Sequence, residues 1–344
     1  MAVTIFQKMN IKAILLSAAL FSVQFILLPQ NVWAGNGGNT IRVSTIRVSV
    51  LKFGTVNWLF DVIRHHGLDR KYGFKLKVQQ LAGAQASKVA LAGGSADVIV
   101  TDWPWVSRQR SAGFDYSFSP YSSASGALMV RAGVSFKELS DLRGKKIGIA
   151  GGPLDKSWLF LNAFGQKRFG FDLKASTEQV FGAPPLLNHL AEKGEVDAIL
   201  NYWHYSARLE AKGFTRMIEI SDVQKNLTNF EDGAAIIGFT FREAWGIKNE
   251  DTLNGFLSAV DAAQEIMLDS DEEWERLEPL MQVDNEAVAL TLRQRYREGV
   301  PELDASAQLR ASRVLFGVLR KYGGEALVGP NNGLAPGTFW DEGE

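Results

Sequence analysis

The sequence predicts an α/β protein of two lobes, each lobe a βαβαβ parallel-sheet unit. Three observations carry that expectation. The first is an internal echo. "GSADVIVTDWPWVSRQRSAGF" (94–114) and "GEVDAILNYWHYSARLEAKGF" (194–214) share seven identities in 21 ungapped positions. Gly94, Asp97, Ile99, Trp103, Arg108, Gly113 and Phe114 recur as Gly194, Asp197, Ile199, Trp203, Arg208, Gly213 and Phe214. The second is that the upstream pieces repeat in the same order. "VSVLKFGTVNWLF" (48–60) and "IGIAGGPLDKSWLF" (147–160) each read as strand, turn and Trp-Leu-Phe. "KYGFKLK" (71–77) resembles "RFGFDLK" (168–174), and "GAQASKVALAGG" (83–94) sits where "GAPPLLNHLAEKG" (182–194) sits. The third is length, since 344 residues suit about two domains. Strands alternating with helices imply right-handed crossovers and parallel sheets.

Taken in chain order, residues 1–34 read as a secretory signal peptide. Lys8 and Lys12 form its basic region, 13–28 its apolar stretch, and Val32-Trp33-Ala34 its cleavage site. The apolar run is short for a membrane span. Cleavage removes two lysines and no acid, taking the net charge from −1 to −3. That balance carries no footprint for nucleic acid. There is no cysteine, which excludes lipidation at a lipoprotein cysteine, disulfides and thiolate metal sites.

The tandem "IRVST" and "IRVSV" (41–50) offers two registers for the first strand. The second copy leads into the Gly54 turn, so 46–52 is expected as the strand and the first copy as an extension. Val98-Ile99-Val100 reads as a strand buried on both faces and ending in Asp102-Trp103-Pro104-Trp105. After a strand over 234–241, helices are expected with caps at Asn249 or Asp251, at Ser270 with Glu273 in capping-box spacing, and at Asp284. A fourth helix is expected over 304–322. The tail, 331–344, is turn-rich and reads as loosely ordered.

In open α/β sheets, ligands sit beyond the carboxyl ends of the strands. The corresponding loops here are 53–57, 82–85 and 101–105 in one half, and 151–157, 181–185 and 201–205 in the other. Gly54, Thr55 and Asn57, and likewise Gly152, Asp155 and Ser157, join a strand to a helix whose free N–H groups suit polar oxygens. Thr55, Asn57 and Ser157 serve equally as plain N-caps. Gln85 starts another helix. Thr101, Asp102 and Trp103 end one strand, and Asn201, Tyr202 and Trp203 its counterpart. Trp103 and Trp203 are expected as cleft walls suited to a flat ring, an alkyl chain or a quaternary ammonium, with Trp105 and Tyr205 as alternatives. Trp58 and Trp158 are expected in the core.

Asp102 has no repeated counterpart, because Tyr202 takes its place. It either recognises a ligand amine or ring N–H, or caps the helix that opens with Pro104. Asp155 and Lys156 either clamp a polar group or form an exposed pair. Asp97 and Asp197 are expected to fix turns at the opposite end. The rings of adjacent His65 and His66 should point apart on a helix, so no metal site is expected there. No zinc motif, phosphate loop or catalytic constellation occurs, and neither a cofactor nor a catalytic residue is expected.

With these pieces in place, the chain resembles the periplasmic substrate-binding proteins of ABC importers that carry aliphatic sulfonates, taurine, nitrate or thiamine-pyrimidine precursors. "KFGTVNWLF", "LAGAQASKVALAGGSADVIVTDW", "SFKELSDLRGKKIGIAGG" and "GEVDAILNYW" carry the resemblance, over roughly residues 45–245. It implies a type II-like periplasmic binding protein fold with two crossover strands, near 125–130 and 236–240. Lobe I would comprise 41–127 plus 238–330 with the C-terminal helices, and lobe II 128–237. It also implies a non-enzymatic, monomeric, unlipidated periplasmic protein that grips a small-molecule ligand by hinge closure and delivers it to a membrane permease, with no nucleic-acid partner. The aromatic and acidic loops favour an organic ligand with an aromatic or amine-bearing part over nitrate. The rivals are a receptor that signals to a sensor kinase, and an enzyme on the same fold such as a pyrimidine-precursor synthase. The latter's cysteine-rich motif is absent here.

Overall fold

Both halves of the repeat fold in the same way. The computed structural model describes residues 44–229, 234–301 and 304–340, so the expected signal peptide lies outside the described residues. The first half runs β1 (Ser44–Leu51), α1 (Val56–His65), α2 (Leu68–Lys71), β2 (Phe74–Leu81), α3 (Ala84–Ala92), β3 (Val98–Asp102), α4 (Trp103–Ser111) and β4 (Tyr116–Ser122). The second runs β5 (Ala127–Val130), β6 (Lys146–Ala150), α5 (Lys156–Phe169), α6 (Leu173–Ser176), β7 (Glu178–Gly182), α7 (Pro184–Lys193), β8 (Ala198–Leu200), α8 (Trp203–Ala211), β9 (Thr215–Glu219) and α9 (Ile220–Thr228). The remainder is β10 (Ile237–Arg242), α10 (Glu243–Lys248), α11 (Glu250–Asp269), α12 (Asp271–Met281), α13 (Glu286–Arg297), α14 (Ala305–Gly323) and α15 (Glu325–Val328).

The sheets are ordered β2-β1-β3-β10-β4 and β7-β6-β8-β5-β9. In each, three parallel strands come from one repeat and the fourth is antiparallel. The fourth strands are exchanged along the chain: β5 enters the second sheet and β10 returns to the first. Repeated aspartates hold matching positions. The Asp97 carboxylate accepts the Arg47 N–H and pairs with its guanidinium, and Asp197 accepts the Lys146 N–H. Both therefore tie strand starts together, at the end remote from the strand-end loops.

Two glycines permit the crossings. A Cβ on Gly126, just before β5, would lie 1.6 Å from the Asn201 carbonyl oxygen; one on Gly238, in β10, would lie 2.1 Å from that of Ser119. The C-terminal helices hold both crossing segments. Ser123 donates its N–H to the Gly299 carbonyl at 3.0 Å. The buried Gln308 amide of α14 both accepts from the Ala235 N–H at 2.8 Å and donates to the Ala235 carbonyl at 2.9 Å.

Four features differ from the sequence expectation, and the smallest is that Asn285, not Asp284, caps α13 by accepting the Val288 N–H at 3.1 Å. β1 begins at Ser44, inside the first "IRVST" copy, because full pairing with β2 extends from Ser44 opposite Phe74 to Leu51 opposite Leu81. α11 and α12 pack on the first lobe, but α13 packs on α8 and α14 on α5 and α9. The α14 face bearing Leu315, Phe316 and Leu319 joins the same core as Leu159 and Phe160 of α5, which is what pulls it across. The tail through residue 340 is ordered. Phe339 bridges to Phe118 beside β4, Phe118 donates its N–H to Thr338 at 2.8 Å, and Thr338 is fully buried.

Candidate functional site

Strand-end loops of the two halves meet through a charge pair. Asp102, at the end of β3, uses one carboxylate oxygen to accept the Trp105 N–H at 2.9 Å and so caps α4. Its other oxygen accepts from the Lys156 ammonium at 2.8 Å, across the cleft from α5. Asp102 thus serves as helix cap and interlobe contact together. Burial pushes the Asp102 carboxyl up, but the Lys156 charge and the hydrogen bonds from Lys156 and Trp105 outweigh it and hold the pKa below the usual range. Lys156 is raised by the same pairing against its own burial.

Three more groups surround this pair. Asp155 caps α5 through the Trp158 N–H at 3.1 Å, taking the role that Ser157 was read for. Burial pushes its carboxyl up to about 6 despite that bond and the adjacent Lys156. Gly151 and Gly152 both adopt positive φ, 85° and 91°, and a Cβ on Gly151 would meet the Asp155 carboxylate at 2.8 Å and the Tyr202 hydroxyl at 3.0 Å. The turn therefore brings Asp155 and Tyr202 together and requires glycine to do it. Burial, then the Asp155 charge, raises the Tyr202 pKa. On the first lobe, Lys88 of α3 stands 4.8 Å over the Trp105 ring, and burial lowers its pKa in spite of Asp102.

Trp203 opens α8 and reaches the first lobe edge-on. Its ring lies 6.0 Å from Trp58 and 6.2 Å from Tyr296; Trp274 completes the seat at 6.0 Å from Trp58 and 5.1 Å from Tyr296. A short network beside it, Arg216 and Arg295 on Glu210, fastens α8 to α13.

Asp102, Asp155 and Tyr202 thus gather around Lys156, and Trp203 packs on Trp58 and Tyr296. Other expected residues are occupied elsewhere. Trp103 is 0% exposed and packs on Phe339, so it is a core residue and not a cleft wall; the ordered tail covers it. Asn57 turns back to donate to the carbonyls of Leu51 and Gly54 at 2.8 and 2.7 Å while accepting from Gln80, so its amide fixes the Gly54 loop. Asn201 likewise donates to Pro184 and Asn188 and accepts from the Tyr202 N–H. Thr101 is buried in β3, Gln85 is exposed, and Gly54, Thr55, Gly152 and Ser157 are half-buried in their loops. Thr55 occupies the N-cap position of α1 without a side-chain cap bond. Trp58 and Trp158 are buried, at 5% and 1%.

Lys88 and the pairing role of Lys156 escaped the sequence argument. The signal for Lys156 is the one that marked Asp102, an unrepeated charge inside a repeated frame. Lys88 lies where the two copies align with a length difference, so the repeat offers no comparison.

Comparison with known proteins bears on this frame. No curated protein matches the sequence. The periplasmic aliphatic sulphonate binding protein SsuA from Escherichia coli is similar in structure, with TM-score 0.67 at 16% identity over 86% of this chain and 97% of that one. So is the alkanesulfonate-binding protein SsuA from Xanthomonas axonopodis pv. citri bound to MOPS, with TM-score 0.66 at 14% identity over 86% and 98%. At such identities the likeness is one of fold: two α/β lobes of the periplasmic binding protein type. The family profile described as NMT1/THI5 like matches residues 64–273, well over half of the chain, and the protein belongs to the NMT1/THI5-like family.

Proposed function

We propose that this protein is the solute-binding component of an ABC import system. Exported by residues 1–34, it captures a small organic ligand, sulfonate-, amine- or pyrimidine-like, between its lobes and presents the closed complex to a membrane permease. Residues 41–127 and 238–330 form one jaw and 128–237 the other, with α14 riding on the second. The observation that carries this reading is the Asp102–Lys156 contact, 2.8 Å across the cleft between two different sheets. Opening the lobes separates two charges that are paired only when closed. A ligand entering the cleft has to supply replacement partners.

The surrounding charges indicate what those partners are. Lys88 forms no ion pair among the described residues, and Asp155 has only its chain neighbour Lys156 for a cation. A ligand with an acidic group near Lys88 and Lys156, and an N–H or amine near Asp102 and Asp155, satisfies all four. Specificity then follows from buried groups left unpaired by a wrong ligand. Closure shifts a pre-existing open–closed balance about the crossover segments near 125–130 and 236–240.

The test is thermal-shift and tryptophan-fluorescence titration of the mature protein with sulfonates, nitrate, pyrimidines, amines and aromatic acids. One class is expected to raise Tm in proportion to the logarithm of its concentration. Lys156→Met is expected to weaken that ligand tenfold or more. A ligand whose affinity is unchanged by both Lys156→Met and Trp203→Ala would place the site elsewhere.

A further inference from the structure

The C-terminal end of α1 carries a second constellation, remote from the strand-end loops at the helix's other end. Adjacent histidines on a regular helix point about 100° apart. Here His66 is the C-cap of α1, with φ −85° and ψ 0°, so it leaves the helical spiral. The His65 and His66 rings come to 4.9 Å between centroids. Contrary to the sequence expectation, a third group joins them. Glu273, from the first turn of α12, places a carboxylate oxygen 3.1 Å from His66 Nε2, and one donor atom each of His65, His66 and Glu273 lies within 4.8 Å of the others.

We propose that His65, His66 and Glu273 form a binding site for a divalent transition-metal ion of the zinc type, which staples α1 to α12. Two imidazoles, a carboxylate and one open position make a common tetrahedral donor set. Ligand atoms about 2.0–2.1 Å from zinc lie about 3.3 Å from one another. The His66–Glu273 pair is already at that spacing, and His65 is an exposed ring free to rotate inward. The carboxylate is pre-positioned: Glu273 is only 6% exposed, and Arg276 grips its Oε1 at 3.0 and 2.6 Å, leaving Oε2 for the metal. Asp61, at 2.5 Å from Arg276, offsets the guanidinium charge. The ion would also face the carbonyl end of α1, where the helix dipole favours positive charge. No cysteine competes, and the two remaining histidines, His189 and His204, lie on the other lobe.

The site stands next to Trp274, part of the aromatic seat for Trp203, so occupancy has a built-in optical reporter. The experiment is calorimetric titration of Zn²⁺ into untagged, EDTA-stripped mature protein, with tryptophan fluorescence recorded in parallel. One high-affinity site is expected per chain, weakened at least tenfold by His65→Ala, His66→Ala and Glu273→Gln and unchanged by His189→Ala. Co²⁺ bound to the unsubstituted protein is expected to give the visible absorption of a four-coordinate ion, a readout independent of how the variants fold. Absence of stoichiometric binding, or binding equally strong in His66→Ala, would overturn the proposal. Neither outcome touches the cleft, since the titration contains no organic ligand.

Discussion

The two strand–helix corners at Asp102–Trp105 and Tyr202–Tyr205 descend from one repeated pattern, yet their tryptophans do opposite things. Trp103 is sealed into the first lobe beneath the tail, against Phe339. Trp203, at the same position of the same motif, is half-buried and leans out onto Trp58 of the facing lobe and Tyr296 of α13. The neighbours decide the difference. Asp102 caps its helix with a side chain, whereas Tyr202 contributes no side-chain cap and aims its hydroxyl towards the Gly151 turn. One corner offers a charge to Lys156; the other rests its ring on an aromatic seat. A duplicated frame thus yields unequal corners once a terminal segment covers one copy.

The largest expected effects test the sealed corner. Trp103→Ala should cost about 3–5 kcal/mol in urea unfolding, the usual range for an emptied aromatic core site. Phe339→Ala should cost about 3 kcal/mol at the same place, because the tail segment loses its anchor. Trp203→Ala should cost only about 1 kcal/mol, the scale of an edge-on aromatic contact, while lowering ligand affinity. Equal losses for Trp103→Ala and Trp203→Ala would erase the distinction between the corners.

Smaller effects arise from pH, with opposite signs. His204, beside Trp203, has its pKa lowered to about 3 by burial and then by the Arg208 charge. Its folded pKa lies below the unfolded value near 6.5, so its contribution is present above pH 6.5 and is lost as pH falls towards 3. His204→Gln should therefore flatten the acid limb of the stability curve, by about 1 kcal/mol at pH 5. Asp155 has its pKa raised to about 6 by burial, so its contribution is present below the unfolded carboxyl value and is lost as pH rises through 6. Asp155→Asn, which keeps the helix cap, should stabilise the ligand-free protein by about 1 kcal/mol at pH 8 and not at pH 4.

The lobed architecture was legible because duplication reports on itself. Gly94, Asp97, Trp103 and their partners repeat at a fixed interval, and alternating strands and helices allow few topologies. The Asp102–Lys156 contact was legible in part where the repeat is broken, as at Asp102 opposite Tyr202. What the repeat concealed was anything supplied by a third segment. Pro, Gly and Asn in the tail suggested loose order, whereas its contacts with Ser107, Ser117 and Phe118 hold it in one path. Covering by that path turned Trp103 from a cleft candidate into a core residue. Asn57 and Asn201 misled for a local reason: an amide near a strand end satisfies its own loop's carbonyls as readily as a ligand's. The α14 crossing is a packing preference among apolar faces, and a helical pattern states that a face is apolar without naming its partner.

The account rests on the Asp102–Lys156 contact as the latch between the two jaws. Because the chain has no cysteine, spin labels placed at Lys77→Cys on the first lobe and Lys174→Cys on the second are the only two attachment points, and double electron–electron resonance reads the distance between them. Introducing Lys156→Met into the labelled protein should lengthen and broaden that distance distribution. An identical distribution with and without Lys156 would contradict it.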